Sequence, residues 1–201
     1  MSPSKANVLL WGDSHAAHYY PGLAKLTEGN DVNLMQATQA GCTPTFRPHP
    51  QAKIWCRQFA DLTNVWFETH KPDLVIMSGD WMGDIFSSRF GTMIENIQAT
   101  AAKMNSEGIR VVVLGPSVQF KTGLPSMMIR ALSRKSNPLP VRDMVRQDIF
   151  AGDARMKAAL PNSDKFTYIS VVEAVCPGEL CPAAVDGGVP LTWDYVHLTT
   201  E

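Results

Sequence analysis

The 201-residue chain carries 18 Lys plus Arg against 19 Asp plus Glu, for a net charge of −1, with 45% hydrophobic and 18% charged residues. That balance excludes a disordered chain, offers no electrostatic basis for holding nucleic acid or an anionic membrane surface, and suits one sizeable α/β domain. No apolar run reaches the ~20 residues needed to span a bilayer, and Met1-Ser2-Pro3-Ser4-Lys5 lacks the features of a signal peptide.

In chain order, residues 6–12 read as a buried strand, apolar without alternation. Residues 15–26 have helical spacing, with Ala16, Tyr19 or Tyr20, Leu23 and Leu26 on a shared side. A second strand is expected over 32–37, then the loop Gly41-Cys42-Thr43-Pro44. Phe59, Leu62, Val65, Trp66 and Thr69 give 54–70 a helical period, and Lys71-Pro72-Asp73 stops it ahead of a short strand at 74–77. A long helix over 90–106 ends at Gly108 as its C-cap, followed by a strand over 110–114. Segments 125–134 and 141–160 look helical, separated by the breaker Asn137-Pro138-Leu139-Pro140. A last strand covers 166–169, and Asp186-Gly187-Gly188 marks a tight turn.

Short apolar strands alternating with longer helical segments imply βαβ units. The expected architecture is a three-layer α/β/α sandwich on a mostly parallel, roughly five-stranded sheet. With no repeat, low-complexity tract or dividing linker, residues 1–201 read as a single domain. Sites in such sheets form at the carboxyl ends of strands, where loops carrying Ser14, Gly41 and Gly79-Asp80-Trp81 would converge.

Four cysteines bear on the compartment. Cys42 and Cys56 bracket a Pro-rich loop, and Cys176 and Cys181 bracket Pro177-Gly178-Glu179-Leu180. Of three possible pairings, the two local disulfides, Cys42-Cys56 and Cys176-Cys181, are the simplest. Zinc is disfavoured because Cys-x4-Cys with no nearby His or second Cys pair lacks the usual ligand spacing, so no metal is expected. Reduced thiols in the cytosol are the bland reading. The favoured one is an oxidising compartment, with this chain cut from a longer exported or membrane-bound parent.

The chemistry-bearing residues lie at the two ends. A serine hydroxyl needs an adjacent base. Ser14 follows the first strand in a strand-to-helix turn, where its own N–H can meet developing negative charge. Gly12 lets the chain turn closely, and Asp13 is placed to brace the turn. Asp194 stands three residues before His197, spacing that lets a carboxylate orient the imidazole. An isolated Asp-x-x-His would more simply be a capping Asp beside an exposed His; its pairing with Gly-Asp-Ser shifts the balance toward chemistry.

These residues resemble the SGNH, or GDSL-like, hydrolase superfamily. The likeness is greatest to SGNH domains fused to integral-membrane acyltransferases (acyltransferase family three) that modify cell-surface polysaccharides. Trp11-Gly12-Asp13-Ser14-His15 resembles that group's nucleophile block, and Gly41-Cys42 its second block. Gly187-Gly188-Val189-Pro190-Leu191 through Asp194-Tyr195-Val196-His197-Leu198-Thr199 resembles its last.

The resemblance implies an SGNH/flavodoxin-like fold with Ser14 as nucleophile, His197 as base and Asp194 as its partner. The N–H groups of Ser14 and Gly41 would be oxyanion donors. The third block departs from the pattern: Ser78-Gly79-Asp80-Trp81-Met82 stands where Gly-x-Asn-Asp would supply an Asn donor, so the Trp81 indole N–H is the candidate replacement. His15, Asp80 and Trp81 are candidate substrate-binding residues. His18 is expected only to line the pocket, His49 and His70 to be solvated, and Asp84 and Asp153 stand in no motif. Trp55, Trp66 and Trp193 are candidates for stacking on sugars or for ordinary packing.

The leading expectation is an O-acyltransferase that acetylates a surface polysaccharide, such as lipopolysaccharide O-antigen, through an acyl-serine. The alternatives are a carbohydrate O-acetyl esterase with the same triad, or a catalytically weak glycan-binding SGNH module. The resemblance implies no cofactor in this domain, with acetyl-CoA used by an attached integral-membrane domain of the same parent chain. It also implies a polysaccharide acceptor, and a monomeric domain on the periplasmic or extracellular face of a bacterial membrane. The chain stops a few residues after His197, where a closing helix is expected.

Overall fold

A computed structural model describes residues 1–133 and 141–200. Strands β1 (Ala6–Gly12), β2 (Val32–Thr38), β3 (Leu74–Ser78), β4 (Arg110–Leu114) and β5 (Phe166–Ile169) form one sheet in the order β2-β1-β3-β4-β5. Every pairing is parallel. Helices α1 (Ser14–Ala17) and α2 (Tyr20–Thr27) link β1 to β2, and α3 (Ile54–Thr69) links β2 to β3. Helices α4 (Met82–Ile85) and α5 (Phe90–Ser106) lead to β4. Helices α6 (Leu124–Ser133), α7 (Val141–Met144) and α8 (Asp148–Ala159) precede β5, and α9 (Val171–Val175) follows it.

The continuous apolar strands are what a sheet covered on both faces requires. Leu9 and Trp11 of β1 join Val75 and Met77 of β3 and Val111 and Val113 of β4 on one face. There they pack with Phe67 of α3 and Ile97, Ala101 and Met104 of α5. Leu10, fully buried, points the other way by strand alternation. Helix α1 lies over β1, β2 and β3.

The chain leaves β1 for β2 on one side and later returns to add β3 on the other. The carboxyl end of β1 is therefore the point where the winding reverses, the usual place for a ligand crevice. Gly12 pairs with Thr38 and with Ser78, so the three strands end level.

Two helices expected as continuous are broken. Residues 15–26 form α1 and α2 separately because Pro21 has no N–H and its ring would clash with the Ala17 carbonyl. Within 141–160 the chain leaves helical geometry between α7 and α8. There Val145 forms an antiparallel bridge with Phe120, and Arg146 N–H donates to the Gln119 carbonyl. The breaker at 137–140 lies outside the described residues. The short helices α4 and α9 were not foreseen. After α9 the chain runs through two 3-10 turns, Pro177–Glu179 and Asp186–Gly188, into an irregular terminal segment.

Gly12 is required by close approach: a Cβ there would stand 1.8 Å from the Ser78 carbonyl oxygen and 2.8 Å from Ala16 Cβ. Gly22, in the exposed part of α2, has open space around it. In urea denaturation Gly12→Ala should destabilise the protein by about 3 kcal/mol, whereas Gly22→Ala should stabilise it by up to ~1 kcal/mol.

Candidate active site

Asp13, leaving β1 in extended geometry, caps α1 and ties two loops together. Its Oδ1 accepts the His15 N–H at 2.8 Å, and its Oδ2 accepts the Asp80 N–H at 2.8 Å from the loop after β3. Burial drives the Asp13 pKa up, against the opposing pull of the Asp80 N–H, the nearby His15 imidazole and the His15 N–H.

The brace presents Ser14 at the first position of α1. Ser14 Oγ lies 2.9 Å from His197 Nε2, and His197 Nδ1 lies 2.7 Å from Asp194 Oδ2. The second carboxylate oxygen, Asp194 Oδ1, accepts the N–H groups of Val196 and His197, each at 2.7 Å. Burial would raise the Asp194 pKa, but His197 and these two N–H groups outweigh it and hold the carboxyl below its ordinary range. All three side chains are half-buried.

The terminal segment carrying this pair is anchored to the loop after β4. Phe120 N–H donates to the Tyr195 carbonyl at 2.7 Å, and Leu124 N–H to the Asp194 carbonyl at 3.0 Å. Trp193 N–H closes the turn onto the His197 carbonyl, and the buried Thr192 hydroxyl donates to the Asp194 carbonyl, both at 3.0 Å. The Trp193 indole, 62% exposed, stacks on the His197 imidazole with centroids 5.3 Å apart.

On the other side of Ser14, Gln39 N–H donates to the Gly12 carbonyl and extends the ladder beyond β2. Cys42 N–H then folds back onto the Gln39 carbonyl. Gly41 occupies this turn with φ of +69°, a conformation that favours glycine. The Cys42–Cys56 disulfide ties the turn to the start of α3, and Cys176–Cys181 is also formed. Among the described residues, neither the Ser14 N–H nor the Gly41 N–H has an acceptor within the chain.

Trp81 is not an oxyanion donor. It is 1% exposed, and its indole N–H donates to the Leu114 carbonyl at 2.8 Å. Its burial equally removes it from substrate. The apolar side chain at this position is drawn into the core shared by α4 and α5, and the N–H satisfies the end of β4. His15 is likewise 5% exposed rather than open to a ligand. It packs beside His18 and His197, with centroids 5.8 and 5.6 Å away. Asp80 keeps an exposed side chain beside the site.

A polar layer that no local motif marks lies next to the imidazole. Ser117, buried after β4, meets the Tyr19 hydroxyl at 3.0 Å and His15 Nδ1 and His18 Nε2 at 3.5 Å each. Leu198 N–H donates to His18 Nδ1 at 3.5 Å. Burial, then repulsion from His15 and His197, lowers the His18 pKa to about 3, so this imidazole is neutral. The hint in the sequence was three-residue spacing from His15 to His18; nothing local pointed to Ser117. Elsewhere, Trp66 is partly buried and stacks on His70, while Trp55 is exposed away from these contacts.

The family model of the SGNH domain (fused to AT3 domains) matches residues 2–201. The chain belongs to that family. Its fold is shared by the periplasmic domain of the Salmonella ser. Paratyphi A lipopolysaccharide acetyltransferase. That domain is 21% identical with a TM-score of 0.84, over 99% of this chain and 79% of that one. An acetyl xylan esterase, AlAXEase, is similar at 16% identity and a TM-score of 0.53, over 96% of this chain and 92% of the esterase. A search of curated proteins found no match. Among the described residues of this SGNH domain, no helix is long and apolar enough to cross a membrane.

The His18 environment has a defined pH consequence. An unfolded His protonates near the ordinary value of 6.5, whereas this one resists protonation down to about 3. The unfolded chain therefore binds more protons across that window, and stability falls as pH drops through it. His18→Gln should flatten the decline by up to one proton's worth of slope, read from denaturation midpoints at successive pH values.

Proposed function

We propose that this SGNH domain transfers an acyl group, acetyl in the simplest case, through a covalent acyl-Ser14 intermediate to a hydroxyl of a cell-surface polysaccharide. Lipopolysaccharide is the acceptor class favoured by the likeness to the Salmonella domain. The observation carrying the reading is the unbroken relay Ser14 Oγ–His197 Nε2 and His197 Nδ1–Asp194 Oδ2.

In the first half-reaction His197 Nε2 accepts the Ser14 proton as Oγ bonds to the donor carbonyl carbon. The N–H groups of Ser14 and Gly41 receive the oxyanion, and Asp194 stabilises the imidazolium. Collapse breaks the bond to the leaving oxygen or sulfur, which takes the proton from His197. In the second half-reaction the acceptor hydroxyl gives its proton to His197 while attacking the acyl carbon, and Ser14 leaves reprotonated. With neither an Asn nor the Trp81 indole supplying a third donor, the site has less oxyanion stabilisation than a three-donor hole. A missing donor costs on the order of a hundred- to a thousandfold in rate.

In this reading the domain works as a monomer and uses no cofactor of its own. The acyl group comes from an attached integral-membrane acyltransferase domain drawing on acetyl-CoA. The two disulfides, one bracing the Gly41 turn, support a periplasmic or extracellular position at a bacterial membrane. An O-acetyl esterase differs only in that water, rather than the acceptor, resolves the acyl-enzyme. The glycan-binding alternative gives no reason for an intact relay.

With p-nitrophenyl acetate as donor, Ser14→Ala should lose turnover by roughly 10⁵- to 10⁶-fold without a change in melting temperature. Asp194→Asn should lose on the order of 10⁴-fold, since Asn offers His197 the wrong partner atoms. Adding a purified O-antigen polysaccharide should divert acetyl from acetate to sugar. Acetate as the sole product would replace the transferase reading with the esterase.

A further inference from the structure

A groove begins at the Gly41 turn and runs between the loop after β2 and the start of α5. Gly41, Thr43 and His49 form one wall, and Asp84 and Arg89 the other. Its volume of about 290 Å³ is close to the ~300 Å³ lower end for small-molecule sites, the size for one ring rather than an extended chain. The groove meets the site at the Gly41 turn, which lines it. A second, much smaller cavity of about 20 Å³ shares Thr43, His49, Asp84 and Arg89 with the groove and is lined further by Thr45 and by Thr92 and Asn96 of α5.

Thr45 is 3% exposed, and among the described residues its hydroxyl has no hydrogen-bond partner. A buried hydroxyl in that state calls for a partner, and the small cavity beside it has room for one water or one ligand hydroxyl. The walls indicate what would enter. Arg89 Nε donates to Asp84 Oδ1 at 2.5 Å and Arg89 Nη2 to the Gly83 carbonyl at 3.3 Å. Among the described residues, Nη1 and Asp84 Oδ2 make no hydrogen bond. This leaves one donor on Arg89 and one acceptor on Asp84 along the same wall, groups that can engage sugar hydroxyls. The pair cancels its own charge. His49 Nδ1 accepts the Gln51 N–H, and Lys53 at the mouth lies over the Trp55 ring, 5.0 Å from its centroid. The Cys42–Cys56 disulfide and Pro48 add apolar surface for a C–H face.

We propose that this groove is a monosaccharide subsite, holding one neutral sugar ring of the acceptor by its vicinal hydroxyls against Asp84 and Arg89, with a further hydroxyl reaching Thr45. The assignment rests on the acyl-transfer reading for its role but not for its binding chemistry. The test therefore uses Ser14→Ala protein, which cannot form an acyl-serine. NMR titration with the methyl glycosides of glucose, galactose, mannose and N-acetylglucosamine should shift the amides of Thr43, Thr45 and Arg89 for at least one sugar.

Arg89→Ala and the near-isosteric Thr45→Val should each weaken that binding by about tenfold, the loss of one or two hydrogen bonds. In protein with Ser14 intact, acetylated with p-nitrophenyl acetate, both substitutions should lower the ratio of acetyl glycoside to free acetate by a similar factor. Absence of shifts with every glycoside, shifts centred on Trp193, or unchanged affinity in both variants would overturn the subsite. The groove would then hold only water. Glycoside binding without any acetyl-serine would instead overturn the acyl-transfer reading and leave the subsite standing.

Discussion

Everything at this site depends on one hydrogen bond between side chains 183 positions apart, His197 Nε2 to Ser14 Oγ. A bond of this kind contributes about 0.5–1.5 kcal/mol net, far too little to order a terminal segment with almost no regular structure. The segment must be held by other means, and it is. Its backbone is anchored to Phe120 and Leu124 on the loop after β4, Leu191 N–H donates to the Ala183 carbonyl, and Thr199 N–H donates back to Leu191. The Cys176–Cys181 disulfide closes the chain just upstream. The relay is thus an outcome of the fold rather than one of its supports, and Ser14 can be altered without dismantling what positions it.

Two carboxylates flank Ser14, and their surroundings send them in opposite directions. Asp13 is buried, its pKa is raised, and both oxygens are engaged by backbone N–H groups; it joins the turns after β1 and β3. Asp194 is partly open, and its hydrogen bonds keep it ionised, suited to facing an imidazolium. The neutral His18 beside His197 fits the same logic, since a second cation there would oppose protonation of the first. Environment, not residue type, assigns the roles.

Much of this was legible in the chain. The apolar run before Gly12-Asp13-Ser14, the terminal Asp-x-x-His and the local cysteine pairs are encoded in adjacent residues. All five strands follow from short apolar segments. What escaped was decided by distant contacts. Pro21 splits the first helix, a local rule that the apolar spacing of 15–26 obscured. Trp81 looked available because its block lacks the Asn donor and its indole carries an N–H, but Leu114 at the end of the neighbouring β4 claims that N–H. Ser117 approaches His15 and His18 only once β4 lies beside β3. Asp84 stood in no motif because its partner Arg89 and the groove it lines come from segments that carry no shared pattern.

The central claim is that the hydroxyl of Ser14, activated by His197, becomes the acyl carrier. The most direct measurement is peptide mapping by mass spectrometry after brief treatment of the folded protein with a p-nitrophenyl alkylphosphonate. The account predicts a single adduct, on the peptide containing Ser14, whose formation slows sharply when His197 is replaced by Ala. A protein that stays unmodified, or one labelled at another residue while Ser14 remains free, would contradict it.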